Sequence, residues 1–177
     1  MLALGMIFRR QKKYELAELA LNQALGMDAG LGMAFNEIGL VQLALGDKAK
    51  AVQAFEKAAA ASPGVAAIHN NLGALRNEVG AFKAAIESLQ RAIALDSQQP
   101  SYHLNLGNAL RGDQQYPEAE KAYRQALELA PGDGSLRHCE RFGRRQRPLG
   151  ALKRLADRRP LLGLSGHGTI LVRTSYS

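Results

Sequence analysis

The 177-residue chain is long enough for one domain with a buried core, and it contains a single cysteine, Cys139. One cysteine supplies neither a disulfide framework nor a set of thiolate zinc ligands, and no apolar run reaches the roughly 18–20 residues that span a bilayer. The formal net charge of +7 arises at the end of the chain, since residues 132–177 hold 10 of the 23 Lys and Arg but 3 of the 16 Asp and Glu. The basic pI therefore gives no reason to expect nucleic-acid binding by the body of the protein.

The first seven residues are apolar, and the basic cluster Arg9, Arg10, Lys12 and Lys13 follows them. A secretory signal peptide has the opposite order and a small-residue cleavage site. We interpret the segment as part of a helix and expect a cytoplasmic protein.

A 34-residue period extends from the N-terminus to Pro131. Its columns are a glycine column (Gly5, Gly39, Gly73, Gly107), two alanine columns (Ala17, Ala51, Ala85, Ala119 and Ala24, Ala58, Ala92, Ala126) and a large-residue column (Leu21, Phe55, Leu89, Tyr123). Such self-similarity is the signature of a repeated supersecondary unit, so we predict four stacked units, the first one truncated.

Each unit is predicted to contain two helices. In the second unit, apolar periodicity covers residues 33–45 and 48–61, and Gly46-Asp47 separates the two stretches. Glycine adopts the left-handed conformation that ends many helices, and aspartate can cap the helix that follows. Pro63 then ends the second helix because it lacks an amide hydrogen.

The columns predict how the helices pack. Glycine inside a helix costs about 0.5–1 kcal/mol relative to alanine, so its recurrence indicates a close approach of the paired helix. We expect the first alanine column to lie across this contact. The large-residue column is expected to fill the space between one unit and the next.

The Leu-Gly pair, the alanine and large-residue columns and the closing proline resemble the tetratricopeptide repeat family over residues 1–131. The sequence departs from the family at Phe35, His69 and His103, where Trp or another bulky residue is common. The resemblance implies an all-α fold, an α-solenoid of antiparallel helix pairs wound as a right-handed superhelix. It also implies a concave groove, lined by the first helix of each pair, that holds a peptide or a partner helix.

We divide the chain into this array and an Arg-rich tail, 134–177. The tail fits three interpretations: a poorly ordered terminal segment, the non-native product of a shifted reading frame, or a basic arm that meets nucleic acid or anionic lipid. It has few aromatic residues on which bases could stack, which disfavours the third. The predicted units cover about 1–31, 32–65, 66–99 and 100–133.

The sequence shows no constellation of catalytic or metal-binding residues. His69 and His103 are related by the repeat, so we expect them to occupy equivalent packing positions. The segment 163–168 satisfies neither a nucleophile-elbow nor a phosphate-loop motif. Carboxylates are expected singly on outer helix faces, several of them at helical ion-pair spacing, such as Glu87 with Arg91 and Glu120 with Arg124. We predict that the chain is not an enzyme and binds no cofactor or metal.

Asparagine is frequent in the first helices, although it is a mediocre helix former. Asn71 and Asn105 each precede a Leu-Gly pair, which resembles the asparagine ladder in the repeats of protein O-linked N-acetylglucosamine transferases. Glu37 and Ala3 interrupt this ladder in the earlier units. An amide side chain offers a donor and an acceptor to a peptide backbone, so we expect these residues to serve binding more than folding. Ordinary polar decoration of an exposed face is the alternative. The predicted groove residues are Asn71, Asn105, Asn70, Asn108, Asn36 and Asn77.

The carboxylate clamp of heat-shock co-chaperones requires lysine and arginine along the same helices. Asn36, Ala67, Asn70 and Ser101 stand at those positions, which disfavours that specialisation.

The predicted function is a protein–protein interaction scaffold that binds a peptide or partner helix in the groove. Two alternatives remain: the substrate-recognition array of a larger enzyme such as a glycosyltransferase, and a nucleic-acid or membrane adaptor acting through the basic tail.

Overall fold

A computed structural model describes residues 1–132 of the chain. They form eight α-helices: α1 (Leu2–Arg10), α2 (Tyr14–Met27), α3 (Gly32–Ala44), α4 (Lys48–Ala61), α5 (Ala66–Glu78), α6 (Phe82–Leu95), α7 (Pro100–Gly112) and α8 (Tyr116–Leu129). Successive second helices begin 34 residues apart, and so do α3, α5 and α7. The predicted all-α solenoid of four helix pairs is confirmed over these residues.

The first helix is shorter than its counterparts, as predicted: α1 has nine residues, whereas α3, α5 and α7 each have thirteen. Between residues 1 and 132, no helix combines the length and apolar character needed to cross a membrane. The predictions for the tail 134–177 fall outside the described residues.

The linker inside each pair contains one residue in the left-handed region, at the same place in every repeat. Gly46 and Gly80 have φ values of 85° and 81°, and Lys12 and Gln114 have values of 58° and 63°. These four residues are spaced by 34, so every pair turns in the same way. Glycine adopts this conformation freely, whereas a side chain raises its free energy.

Asp47 caps α4 as predicted. Its side-chain Oδ1 accepts a hydrogen bond from the backbone amide of Lys50 at 2.9 Å. The same bond favours the ionised form and lowers the pKa of the Asp47 carboxyl.

The helices of a pair meet closely at the glycine column. A Cβ atom added to Gly39 would lie 2.6 Å from the Phe55 ring, and one added to Gly73 would lie 2.5 Å from Leu89 Cγ and 3.1 Å from the Ala85 carbonyl oxygen. The side chain nearest each glycine is the large residue, and the expected alanine lies at the same contact, since the Ala17 and Ala85 carbonyl oxygens are close to Gly5 and Gly73. The alanine contributes its backbone, which comes near because its own side chain is short.

The large residues also reach the next pair. Phe55 belongs to one buried cluster with Leu72 and Leu75 of α5, and Leu89 clusters with Leu110 of α7. The prediction that this column fills the space between units is confirmed. One side chain thus packs both within its pair and between pairs.

Ala85→Leu is expected to destabilise the protein by about 1–3 kcal/mol, because Ala85 is fully buried where α6 meets α5. Glu87→Ala, on the exposed face of the same helix, should change stability by no more than about 0.5 kcal/mol. Urea unfolding followed by circular dichroism measures both. Equal unfolding midpoints for the two variants would contradict the packing register.

Candidate functional site

The first helices lie side by side along one surface of the array. Backbone contacts join α1 with α3 and α5 with α7, and a side-chain hydrogen bond joins α3 with α5. No two second helices of the described residues share a comparable contact. Neighbouring elements come closer together on the inner side of a curve than on the outer side. The first helices therefore form the inner surface, and we call it the first-helix groove.

Two pairs of asparagines connect successive first helices in this groove. Asn71 Nδ2 donates to Asn36 Oδ1 at 2.9 Å, and Asn105 Nδ2 donates to Asn70 Oδ1 at 2.8 Å. Donor and acceptor are 35 residues apart in both pairs, so the same hydrogen bond is made twice, one repeat apart. Asn36 is buried, with an exposed fraction of 4%, and the other three are partly exposed. The structure thus brings together four of the six predicted groove residues.

The remaining two asparagines have different surroundings. Asn108 Oδ1 accepts a hydrogen bond of 2.9 Å from the Tyr123 hydroxyl, which ties it to the second helix of its own pair. The Asn77 side chain is partly exposed and makes no hydrogen bond with another described residue. Their role in peptide binding stays a prediction, as it does for the paired asparagines.

An ion pair between a partly exposed arginine and a buried carboxylate takes the place of the amide pair between the first two units. Glu37 stands one repeat before Asn71, and its exposed fraction is 3%. Arg9 Nε donates to Glu37 Oε2 at 2.6 Å. A buried carboxylate needs such a partner, because an isolated charge is strongly disfavoured away from water.

The sequence had indicated exposed carboxylates on outer helix faces, and this expectation is wrong for Glu37 and Glu120. Both carboxylates are buried, and their ion pairs with Arg9 and Arg124 offset the cost of removing a negative charge from water. The predicted pairing of Glu120 with Arg124 is confirmed at 2.6 Å, whereas Glu87 and Arg91 form no ion pair within residues 1–132.

A polar contact that the sequence did not reveal links three helices on the opposite side of the array. Arg76 of α5 donates through Nη2 to Glu56 Oε1 of α4 and through Nη1 to Ser88 Oγ of α6, both at 2.8 Å. One repeat earlier, Gln42 of α3 donates to the carboxylate of Glu18 on α2. The sequence contained one signal for these contacts: Gln42 and Arg76, which are 34 residues apart and hold the same register position, are both polar.

The two repeat-related histidines occupy equivalent positions, as predicted. His69 Nε2 donates to the Pro63 carbonyl oxygen at 2.8 Å, and His103 Nε2 donates to the Ser97 carbonyl oxygen at 2.9 Å. Both rings are buried and fasten the start of a first helix to the preceding linker. Residues 1–132 contain no cluster of His, Cys, Asp or Glu arranged to hold a metal ion.

In the first helices, the Tyr102 hydroxyl has a pKa above its ordinary value. Burial raises the pKa of the Tyr102 hydroxyl, and the negative charge of Asp96 raises it further. The phenol therefore stays neutral at physiological pH and offers a hydrogen-bonding group without charge.

Stacked helix pairs with an open inner surface define a helical-repeat scaffold for protein interactions. Family profiles described as TPR repeat or tetratricopeptide repeat match residues 2–66, 75–114 and 100–133. The chain therefore belongs to the tetratricopeptide repeat family, whose fold is in general a non-catalytic one for protein interaction.

Solved structures share the fold at low sequence identity. The structure of MamA (residues 41 to the end) from Desulfovibrio magneticus RS-1 has a TM-score of 0.75 and 20% identity, covering 88% of this chain and 89% of that one. The Cut9 and Hcn1 hetero-tetramer of APC/C has a TM-score of 0.72 and 19% identity, covering 80% and 29%. The first TPR of Spaghetti (RPAP3), bound to the HSP90 peptide SRMEEVD, has a TM-score of 0.64 and 22% identity, covering 67% and 94%. A comparison with curated protein sequences gave no match.

The asparagine pairs predict that Asn71→Ala lowers stability more than Asn105→Ala, although the two residues hold equivalent positions in their repeats. Asn71→Ala leaves the oxygen of buried Asn36 without its donor, which should cost about 1–3 kcal/mol of stability. Asn105→Ala leaves Asn70, which water can reach, so its cost should be below about 1 kcal/mol. Urea unfolding of the two variants measures the difference. A cost for Asn105→Ala equal to or above that for Asn71→Ala would contradict a structural role for the buried pair.

Proposed function

We propose that the first-helix groove binds an extended peptide segment or a partner helix of another protein. The observation that supports this most directly is the repeated asparagine pair. It sets identical amide groups at a regular interval along the inner surface.

The pairs retain hydrogen-bonding capacity for a ligand. A side-chain amide has two N–H donors and two acceptor lone pairs, and the bond between helices uses one donor of one residue and one acceptor of the other. Asn70, Asn71 and Asn105 are partly exposed, so their remaining groups are within reach of a bound chain. Because each amide is already held by its partner, little side-chain entropy is lost when the peptide binds.

The proposed ligand is recognised through its backbone. A peptide unit presents one donor and one acceptor whatever its side chain, and a side-chain amide complements both. The Spaghetti domain is bound to an HSP90 peptide, which supports peptide binding by arrays of this kind. Asn36, Asn70, Ala67 and Ser101 stand where a carboxylate clamp would need basic residues, so this ligand need not end in acidic residues.

The same asparagine pattern supports a second candidate, the substrate-recognition array of a larger enzyme such as a glycosyltransferase. In that case the groove would bind the polypeptide on which a separate domain acts. Reading the parent DNA in all frames beyond this chain distinguishes the two candidates. An adjoining catalytic domain would favour the second.

Asn77→Ala together with Asn105→Ala is expected to weaken peptide binding by about 1–3 kcal/mol, or roughly five- to a hundredfold. Asn77 stands two repeats after Arg9, and Asn105 two repeats after Glu37. Because Arg9 contacts Glu37, we expect Asn77 to lie on the side of α5 that faces Asn105. The peptides are selected from a random library on the full chain, and several sequences are titrated by calorimetry. Losses should be similar for all of them, because the lost contacts are to the backbone.

Gln90→Ala is the matched control, since Gln90 is an exposed amide on α6, away from the groove. Circular dichroism verifies that each variant is folded. Unchanged affinities in the double variant would refute the groove proposal, and so would an equal loss in the control.

A further inference from the structure

A cleft opens on the side of the array away from the first-helix groove, between the second helices of the first two pairs. It has a volume of about 230 Å³. Leu25 of α2 and Phe35 and Ile38 of α3 line it with apolar surface, and Asn22 of α2 stands beside them. The three apolar side chains are partly exposed, so this surface is open to a ligand.

The opposite wall is one face of α4. Lys50, Gln53, Ala54 and Lys57 follow one another at the spacing that places side chains on one side of a helix. Two ammonium groups therefore border the apolar surface. No acidic side chain of the described residues lines the cleft.

The two lysines have weak partners. Lys57 Nζ lies 6.0 Å from the centre of the Phe35 ring, at the limit of a cation–π contact, and Lys57 forms no ion pair with another described residue. Lys50 Nζ lies 3.0 Å from Asp47 Oδ2 in an exposed pair between neighbours on one helix, which contributes little. Both charges remain available to a carboxylate from outside.

The equivalent place in the next repeat is bridged. Arg76 spans it and donates to Glu56 and Ser88. The residues one repeat earlier are Gln42, Asn22 and Ala54, which cannot build this bridge. The cleft between α2 and α4 is thus open because the arginine and both of its partners are replaced.

We propose that this cleft is a second binding site, which takes an apolar side chain flanked by carboxylates from an acidic segment of a partner protein. The apolar side chain packs on Leu25, Phe35 and Ile38, and the carboxylates pair with Lys50 and Lys57. Opposite charge on the ligand matches a cleft that has two cations and no lining acid. The site is independent of the first-helix groove and does not rest on the function proposed for it.

The probe is the blocked peptide acetyl-Glu-Leu-Phe-Glu-amide, titrated into the ¹⁵N-labelled full chain and followed by NMR. Shifts are expected at the residues of the cleft. The neutral peptide acetyl-Gln-Leu-Phe-Gln-amide keeps the apolar side chains and should bind roughly two- to thirtyfold more weakly, since two exposed charge pairs are lost. The difference between the peptides should shrink as salt is added.

Two kinds of variant test the location. Lys57→Gln should weaken binding of the acidic peptide about two- to fivefold, whereas Lys83→Gln removes the same charge from an exposed site outside the cleft and should leave affinity unchanged. The triple variant N22E/Q42R/A54S copies the Arg76 bridge into the cleft. It should abolish binding, and the copied bridge should offset the loss of the Gln42 hydrogen bond to Glu18, so that the melting temperature does not fall.

No binding at millimolar peptide would overturn the proposal, as would equal affinity for the two peptides. Shifts centred on Asn70, Asn71 and Asn105 would place the peptide in the first-helix groove instead and would also overturn it. If the triple variant unfolds, the comparison of Lys57→Gln with Lys83→Gln decides. Equal affinities in that comparison would refute a role for the lysine.

Discussion

The close contact between each interior glycine and the large residue of its paired helix is the constraint on which the array depends. No side chain larger than a hydrogen atom fits between them, so the second helix is held against the backbone of the first. The same large side chain continues into the core of the next pair. One column of large residues therefore fixes both the geometry within a pair and the stacking of pairs.

Polar residues distinguish units that share the same core. On the inner surface, the bond between the first two pairs is the Arg9 and Glu37 ion pair, and the later pairs use asparagines instead. On the other side, Arg76 bridges the space between α4 and α6, while the space between α2 and α4 stays open. The array thus has an apolar framework that is constant and surfaces that vary from repeat to repeat.

The helices and their core could be predicted from the sequence, because a 34-residue period in Gly, Ala and Pro reports on backbone packing that every unit repeats. The pairing of Asn71 with Asn36 could not, since the two are 35 residues apart and the offset between successive first helices is a property of the assembled stack. The burial of Glu37 escaped prediction for the same reason, as its partner Arg9 belongs to another unit. The cleft depends on how far one arginine side chain reaches, which a sequence pattern does not specify.

The linkers within the pairs set an order in which the array should come apart. Both inner pairs turn through glycine, whereas the first and fourth turn through Lys12 and Gln114 in the same left-handed conformation. That conformation costs an ordinary residue roughly 1–2 kcal/mol, so the outer pairs carry a strain that the inner pairs lack. Among residues 1–132, the second and third pairs each stack on two neighbouring pairs, and the first and fourth pairs each stack on one. Under mechanical force or on heating, the described part of the chain should unfold from both ends toward its middle. The central pairs, which contain Asn70 and Asn71, should unfold last.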